Sequence, residues 1–458
     1  MEFEIKRITS GPKHHLFGFH DLVQTNAKGD FALCLEVDDI SHPPLPGDTC
    51  SSGVVPADGG EFVPIHKTHT WNYPQGARQQ WIGDSDLFTC NDRDDNGKVF
   101  AWVADVRACK TIERLPFPVH CLNASTRMAF WMDYDRTYAC GGYGYSGSSH
   151  RGKWMDIPED NGIYAGNLDN GKSEVLVTMT DVAKCGESRP VRTGYPHIVT
   201  HFLLNPTGDR IAFLHRYLVP DGGGITRLMT VGTDGRGLRC LAKGFLSHFT
   251  WVSDNELFIW GADQRSLCAF RELPYLRLPG VLQSVKLAKS CMRACRNFRR
   301  RNSDTSRLVA MQDKAFLLIE DRDNPTIEKT ALGLLTEDGH PMANPAKGKF
   351  LINDTYPDSN GDRTLMFFDI ERQYRKDIGK FRMLQDKPNQ TQFDWKLAFK
   401  ERDSRVNRKT DKKGLLFAFS GFHCDLHPRW SYSGNVAYFD SIHEGSRQVY
   451  AVEFEETI

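Results

Sequence analysis

Residues 200–217 read THFLLNPTGDRIAFLHRY, which is an apolar run, a turn and a second apolar run. Runs of this length on either side of Asn-Pro-Thr-Gly-Asp predict two antiparallel strands joined by a tight turn. Units of this shape recur along the chain, and almost no segment shows a sustained helical period. The sequence therefore predicts an all-β fold. The seven copies of the unit begin near Gly18, Gln75, His120, His201, His248, His340 and His427.

The spacing of the copies suits a repeat architecture. They are about 40 to about 90 residues apart, which is room for the four strands of one propeller blade plus loop insertions. Seven units predict a seven-bladed β-propeller that forms one domain over residues 1–458. The repeated unit would supply the innermost strand of each blade, so its leading residues would surround one end of the central channel. Six of these leaders are histidines, namely His20, His120, His201, His248, His340 and His427.

Composition excludes some partners. The 458 residues include 58 basic and 58 acidic side chains, and this balance provides no field for binding nucleic acid. No run approaches the roughly 18 apolar residues of a membrane span, so we expect neither nucleic acid nor a membrane as a partner. The start MEFEIKRITSG lacks the apolar core of a signal peptide, although removal of an export signal would leave the same start.

A basic insertion interrupts the repeat at about residues 267–314. It contains KLAKSCMRACRNFRRRNSD, residues 286–304. We interpret it as a solvated surface insertion. The alternative is a lid that attracts an anionic substrate.

The late repeats carry a metal-ligand pattern. The four candidate ligands are His248, His340, Cys424 and His427, and the spacing Cys-x-x-His lets one turn supply two of them. A thiolate with three imidazoles suits tetrahedral Zn²⁺. Asp425 would orient a ligand from outside this set. The alternative is a buried cysteine beside hydrogen-bonded histidines.

The remaining polar residues predict a groove with acids, bases and guanidinium groups. The sequence contains no Gly-x-Ser-x-Gly, phosphate loop or dinucleotide fingerprint, which disfavours hydride and phosphoryl transfer. The groove residues of the early blades are His20, Arg78, Asp92, Arg93, His120, Tyr143, Tyr145, His201, His215 and Arg216. Glycoside hydrolysis stays open because four acids could pair as catalytic carboxylates, namely Asp92, Asp133, Asp354 and Asp440.

Several short motifs together resemble a known family. They are WNYPQGARQQW (71–81), HFLLNPTGDRIAFLHRY (201–217), SHFTW (247–251), DGHPM (338–342), NDTYPD (353–358) and CDLHPRW (424–430). Their ordered set resembles the seven-bladed propeller polysaccharide lyases, which are the oligogalacturonate lyases and the related ulvan lyases. The resemblance runs from about residue 15 to 450 except for the 267–314 insertion. It implies β-elimination on a polysaccharide that contains uronic acid, with a metal held by histidine and a neighbouring polar ligand.

The resemblance also carries site residues. His340 and His427 match the metal histidines of the family, and Cys424 stands where a ligand three residues earlier would be. Oligogalacturonate lyases have Gln there, and they have a further His where this chain has Arg429. These departures favour the ulvan-lyase branch, in which a zinc is structural and catalysis uses His, Tyr and Arg. The family's catalytic tyrosine could be any of Tyr143, Tyr145 and Tyr195.

Elimination needs a charge neutraliser, a base and an acid. We expect Arg216 to neutralise the uronate carboxylate, His120 or His201 to act as the base, and Tyr143 to act as the acid. The expected substrate-binding residues are His20, Arg78, Arg93 and His215.

The leading prediction is therefore an ulvan lyase with a structural zinc, secreted or periplasmic, that acts on an anionic uronate polysaccharide or oligosaccharide. Manganese or calcium could replace the zinc. The alternatives are a cytoplasmic oligogalacturonate lyase with a catalytic metal, a glycoside hydrolase, and a non-catalytic propeller that binds glycans.

Overall fold

Antiparallel sheets make up most of the protein. The computed structural model describes residues 3–147, 154–273, 314–383 and 419–454, together with scattered residues between 276 and 291. The all-β prediction agrees with this architecture. Short helices occupy connections between strands, namely α1 (Tyr134–Gly141), α2 (Met179–Lys184) and α3 (Arg265–Arg271). Within these ranges, no helix has the length and apolar character needed to cross a membrane. The predicted insertion at 267–314 begins in α3, and most of it lies outside the described residues.

The first half of the chain builds one four-stranded sheet after another. The strand β1 (Ile5–Arg7) precedes them and belongs to the last sheet. The first sheet contains β2 (His14–Leu16), β3 (Phe31–Val37), β4 (Cys50–Pro56) and β5 (Val63–Thr68). The second contains β6 (Gln80–Trp81), β7 (Leu87–Arg93), β8 (Val99–Asp105) and β9 (Lys110–Leu115). The third contains β10 (Cys121–Asn123), β11 (Met128–Met132), β12 (Gly162–Asn167) and β13 (Ser173–Thr178).

The middle of the chain forms a seven-stranded sheet. Its strands are β14 (Ile198–Leu204), β15 (Arg210–Leu218), β16 (Gly224–Gly232), β17 (Arg239–Trp251), β18 (Glu256–Asp263), β19 (Ala315–Glu320) and β20 (Ile327–Thr330). The long strand β17 pairs with β16 up to Gly244 and with β18 from Gly244 onward. One strand therefore belongs to two successive groups of strands.

Two four-stranded sheets complete the described chain. The first of them contains β21 (Met342–Ala343), β22 (Phe350–Asp354), β23 (Asp362–Asp369) and β24 (Tyr374–Arg382). The last sheet contains β25 (Arg429–Trp430), β26 (Val436–Ser441), β27 (Gln448–Glu453) and the early strand β1. The two ends of the chain thus meet in one sheet.

The sheets stand side by side in a propeller-like arrangement. The first strands of successive groups contact each other, because β10 contacts β14, β14 contacts β17, β17 contacts β21, and β21 contacts β25. The arrangement closes where β1 pairs with β27 and β2 contacts β27. The count of seven blades stays a prediction, because β17 joins two groups of strands in a single sheet.

Turns and packing explain why this sequence adopts these strands. In the repeat at residues 200–217, the Asn205 side chain accepts a hydrogen bond from the Arg210 backbone at 3.0 Å. Gly208 occupies the left-handed region there with a φ of 75°, a conformation that glycine adopts at little cost. Between sheets, large apolar side chains such as Phe213 and Trp430 are fully buried. Each such burial contributes about 1.5–3 kcal/mol, so packing between sheets stabilises the whole arrangement.

Candidate functional site

Five histidines surround one buried phenylalanine, Phe19. Phe19 follows β2 in the first sheet, and its ring is buried. The ring centroids of five histidines lie within 6.5 Å of it, namely His20 (4.3 Å), His201 (5.0 Å), His427 (5.1 Å), His248 (6.2 Å) and His340 (6.5 Å). All five were leaders of the sequence repeat.

Local irregularities of the backbone determine the directions of several of these histidine side chains. β14 has a bulge between Thr200 and Leu203 around His201, and β17 has one between Leu246 and Phe249 around His248. Bulges re-aim side chains that would otherwise alternate across the sheet. His201 and His427 also have positive φ angles, 60° and 42°, which non-glycine residues rarely adopt. Such strained residues cluster at functional sites.

Three buried residues could hold a metal ion. The ligand atoms of His340, Asp425 and His427 all lie within 4.8 Å of one another. His340 donates from Nδ1 to the Asp354 carboxylate at 2.7 Å, and His427 donates from Nδ1 to the Gly18 carbonyl at 2.8 Å. In each imidazole, Nδ1 carries the hydrogen and Nε2 keeps the lone pair that can bind a metal. This is the arrangement found around metal-binding histidines.

Two further histidines repeat this pattern beside the group. His20 donates from Nδ1 to the Pro341 carbonyl at 2.8 Å, and its buried Nε2 finds no hydrogen-bond partner among the described residues. His248 bonds through Nδ1 to Asp338 at 3.1 Å. Imidazole nitrogens with one carboxylate suit Zn²⁺ or Mn²⁺. The residues present therefore fit a divalent transition metal.

Salt bridges hold Asp425 in its ionised form. Arg363 approaches one carboxylate oxygen at 2.7 Å, and His423 approaches the other at 3.2 Å. Burial raises the pKa of Asp425, but Arg363 and His423 outweigh that effect and hold the pKa well below its usual range. Sequence reasoning missed Arg363, because no motif marks the first residues of β23.

Cys424 lies outside the candidate metal group. It is buried in the apolar cluster that contains Leu16, Ile40 and Ile442, and its thiol donates weakly to the Asp425 carbonyl at 3.8 Å. Burial raises the pKa of the thiol to about 11, so the thiolate that a metal requires is disfavoured. Of the four predicted ligands, the structure brings His340 and His427 together with His248 beside them, and Asp425 stands where Cys424 was expected.

Arg429 belongs to the core beside the candidate metal group, where its guanidinium donates to the His427 carbonyl at 2.8 Å. Its guanidinium pairs with Asp440 at 2.5 Å, donates to the Gln24 side chain at 2.7 Å and is fully buried. At this position the chain has a core ion pair where oligogalacturonate lyases are expected to have a histidine.

The predicted catalytic residues of the early repeats form a second group beside Phe19. The Tyr143 ring lies 4.7 Å from His201, and the Arg216 guanidinium lies 5.8 Å from the centre of the Tyr143 ring. Neither ring nitrogen of His201 has a hydrogen-bond partner in the described ranges, and neither does Nε of Arg216. His120 is buried nearby, with Nδ1 3.1 Å from the Tyr134 hydroxyl. The structure therefore brings His201, Tyr143 and Arg216 together, and their catalytic role stays a prediction.

Several other predicted residues are engaged within the protein. Arg78 pairs with Asp21 at 2.8 Å, and it donates to the His120 carbonyl. Arg93 donates to the carbonyls of Ser146 and Pro46. The ring of His215 bonds to His197 at 3.0 Å, and Tyr145 is buried with its hydroxyl 3.1 Å from the Asn91 amide.

The four predicted carboxylates also have structural partners. Asp92 bonds to His66 at 2.8 Å, and Asp133 caps α1. Asp354 holds His340, and Asp440 pairs with Arg429 and Arg447. Each of the four carboxylates is therefore bound to another group of the protein. No two of them form a pair that is free for glycoside hydrolysis.

Tyr356 is a site residue that sequence reasoning did not single out. It follows β22, and its ring lies 5.4 Å from His340 and 6.3 Å from His248. The motif NDTYPD contained it, but only as part of a resemblance.

A cavity of about 480 Å³ starts at His20 and extends along the inner strands past Trp251 and Asn344.

Comparison with known proteins relates the fold to solved lyases. No family model and no curated protein matches the chain by sequence. An oligogalacturonate lyase from Vibrio parahaemolyticus is 10% identical, with a TM-score of 0.54 over 99% of this chain and 94% of that chain. An oligogalacturonate lyase in complex with manganese is 11% identical, with a TM-score of 0.52 over the same shares of the two chains. The chain therefore shares the fold of these oligogalacturonate lyases.

Proposed function

We propose that the protein is a lyase that cleaves a uronate-containing oligosaccharide by β-elimination. The observation that carries the proposal is the buried group of His340, Asp425 and His427 beside the free side chains of His201, Tyr143 and Arg216. A cation and a guanidinium at one site suit an anionic sugar. The named activity of the proteins that share the fold leads us to prefer oligogalacturonides to ulvan.

We also propose that the fold is a seven-bladed propeller. The long strand β17 would be the outer strand of one blade through its first half and the inner strand of the next blade through its second half. The seven-stranded sheet then counts as two blades, and the other five sheets supply the rest.

Arg216 and His201 would perform different steps of the elimination. Arg216 would pair with the carboxylate of the uronate and stabilise the enolate that forms when the C5 proton leaves. His201 would take that proton, since neither of its ring nitrogens has a hydrogen-bond partner among the described residues. Burial holds its pKa well below the usual range and so keeps the imidazole neutral. Phe19 and the surrounding rings would exclude water from the imidazole.

A divalent cation would be held by His340, His427 and Asp425, with His20 and His248 beside it. When bound, it would neutralise carboxylate charge on the substrate and so make the C5 proton more acidic. Manganese is preferred to zinc in this proposal because the solved manganese complex shares the fold. A structural zinc is the alternative, and an oligogalacturonide substrate fits the cytoplasmic location that was expected for such an enzyme.

The test is absorbance near 235 nm, where the conjugated product of uronate elimination absorbs. Protein loaded with Mn²⁺ is incubated separately with trigalacturonate, polygalacturonate, glucuronan and ulvan, with a metal-stripped sample in parallel. We expect a rise with trigalacturonate that stripping abolishes and Mn²⁺ restores. A rise with ulvan alone that survives stripping would favour the ulvan lyase with a structural zinc. New reducing ends without absorbance would favour a glycoside hydrolase, and binding without any product would favour a glycan-binding propeller.

A further inference from the structure

A cavity leads from the surface of the protein to His20, beside the candidate metal group. Its volume is about 480 Å³, and three exposed turn residues line its outer end, namely Pro206, Asp254 and Pro345. Its inner end is lined by His20, which is 2% exposed. A water molecule takes up about 30 Å³ of the liquid, so the cavity has room for a divalent cation with a shell of about six waters.

The cavity reaches the histidines from the end of the strands that lies away from Arg216. Arg216 pairs with Ile198, the first residue of β14, whereas Leu204, the last residue of that strand, lines the cavity. Asp254 and Pro345 belong to the corresponding turns after β17 and β21. The outer end of the cavity and the arginine proposed to bind the uronate carboxylate are therefore at opposite ends of the sheet.

The inner end of the cavity adjoins the proposed metal ligands. The ring centroid of His20 lies 5.4 Å from that of His340 and 6.0 Å from that of His427. The buried Nε2 of His20 has no hydrogen-bond partner among the described residues. His340 and His427 are themselves only 1% and 2% exposed. An ion from solvent therefore needs a path through the protein to reach them.

The charge of the cavity lining suits a cation. The described lining residues include two carboxylates, Asp21 and Asp254, and no lysine or arginine. Asp21 is paired with the buried Arg78 at 2.8 Å, so Asp254 supplies the exposed charge of this lining. A carboxylate at the outer end of a cavity raises the association rate of cations and repels an anionic sugar.

We infer that this cavity is the route by which the divalent cation enters and leaves the candidate metal group, apart from the side on which Arg216 would bind the substrate. The inference rests on the metal group of the proposed function. His20 would be the last side chain that the ion meets on its way in. Its unused Nε2 would bind the ion in transit, before His340 and His427 bind it.

The first experiment narrows the route with Ser253→Trp and measures the association and dissociation rate constants of Mn²⁺ on metal-stripped protein. Ser253 lines the cavity, is half-buried and accepts a hydrogen bond from the Asn255 backbone at 3.4 Å. We expect both rate constants to fall alike, by about tenfold or more, with an unchanged Kd, because a narrower route raises the barrier and leaves the ligands intact. The control is Ser85→Trp, whose serine accepts the same bond from Leu87 at 3.3 Å in a turn of the second sheet.

The second experiment reverses the charge at the outer end. We expect Asp254→Lys to slow the association of Mn²⁺ about tenfold at about 10 mM salt and less than about twofold at about 1 M salt, where the Debye length is about 3 Å and not about 30 Å. The control Asp234→Lys reverses an exposed aspartate in the turn between β16 and β17, outside the described lining, and it should change association little at either salt concentration.

The results separate the route from the function. Slower exchange in Ser253→Trp with an unchanged Kd, or salt-dependent slowing in Asp254→Lys, supports the route, and rate constants that match the controls in both variants would overturn it. Wild-type protein that binds no Mn²⁺ would contradict the proposed metal group and the route with it. Wild-type protein that binds Mn²⁺ but forms no product that absorbs at about 235 nm would contradict the lyase alone. The thermal midpoint of each variant identifies a misfolded protein.

Discussion

Cys424 and Asp425 are neighbours in the chain, yet only Asp425 joins the histidines of the candidate metal group. The two side chains leave the backbone in different directions, so that one enters an apolar cluster and the other reaches a charged site. A ligand pattern such as Cys-x-x-His counts residues but does not give these directions. At the scale of single residues, the assignment of the third ligand therefore depends on the fold.

Substitution of each neighbour distinguishes the two assignments. We expect Asp425→Ala to weaken binding of Mn²⁺ or Zn²⁺ by 100-fold or more, because a charged ligand is lost. Cys424→Ala should keep the affinity within about threefold and lower the free energy of unfolding by about 1–2 kcal/mol through lost packing. Titration calorimetry on metal-stripped protein measures both affinities. If Cys424→Ala weakened metal binding more than Asp425→Ala does, the third ligand would be Cys424 and not Asp425.

Arg363 should act on the metal through Asp425. Its guanidinium lies 2.7 Å from the carboxylate, and loss of a group that orients a ligand typically costs about 10- to 100-fold in metal affinity. We expect a loss in this range for Arg363→Met. The matched control is Arg382→Met, which removes an exposed arginine that pairs with Asp362 at 2.8 Å. Equal affinities of the two variants for the metal would show that Arg363 does not position Asp425.

Buried histidines away from the metal group should make stability depend on pH. Burial lowers the pKa of His197 to about 3, whereas the unfolded chain titrates near 6.5. Between these values the unfolded state binds the proton, so the free energy of unfolding falls with decreasing pH by up to about 1.4 kcal/mol per unit for this group. Urea unfolding at pH 7.5, 6.5 and 5.5 measures the slope. His197→Gln should reduce the slope, and a slope unchanged from that of the wild-type protein would contradict the assignment.

At the scale of single elements, turns determine where strands end and bulges determine where side chains point. The sequence repeat predicts where apolar strands and turns lie, because strand and turn signals are local in the chain. The bulges at His201 and His248 and the positive φ angles of His201 and His427 depend instead on contacts with neighbouring sheets. For this reason the strands could be predicted in outline, whereas the directions of the histidine side chains could not.

Two glycines allow a matched test of close packing at turns. Gly76 and Gly29 both have positive φ angles, 62° and 72°. A Cβ on Gly76 would lie 2.4 Å from the Phe17 carbonyl oxygen, whereas a Cβ on Gly29 meets nothing within 4 Å. We expect Gly29→Ala to cost about 1 kcal/mol of unfolding free energy, from backbone strain alone, and Gly76→Ala to cost about 3 kcal/mol or more. Chemical denaturation measures both losses, and equal losses would contradict the clash.

At the scale of the whole molecule, closure of the ring of sheets depends on both ends of the chain. Ile8 follows β1 and is buried among Ala32 and Val55 of the first sheet and Tyr438 and Val449 of the last. The repeat predicts that the sheets follow one another, but it does not include β1, whose three residues carry no repeat motif. The pairing of β1 with β27 is therefore a feature that only the structure reveals.

Ile8→Ala tests this closure. The cavity should lower the free energy of unfolding by about 2–4 kcal/mol, because the side chain packs between two sheets and not within one. Ile112→Ala is the control, since Ile112 is 48% exposed. Thermal and urea unfolding measure both variants. A loss for Ile8→Ala no larger than that of the control would mean that this junction contributes little.

The hydrogen bond from His427 to the Gly18 carbonyl joins residues 409 positions apart. A ribosome must therefore synthesise the chain as far as residue 427 before the candidate metal group can assemble, and contacts of such long range form late in folding. Metal uptake should then follow the synthesis of residues 425–427 and not that of the first sheets. A chain that stops before residue 425 lacks two of the three grouped ligands, so a bound ion would mark a chain that has been synthesised past residue 427.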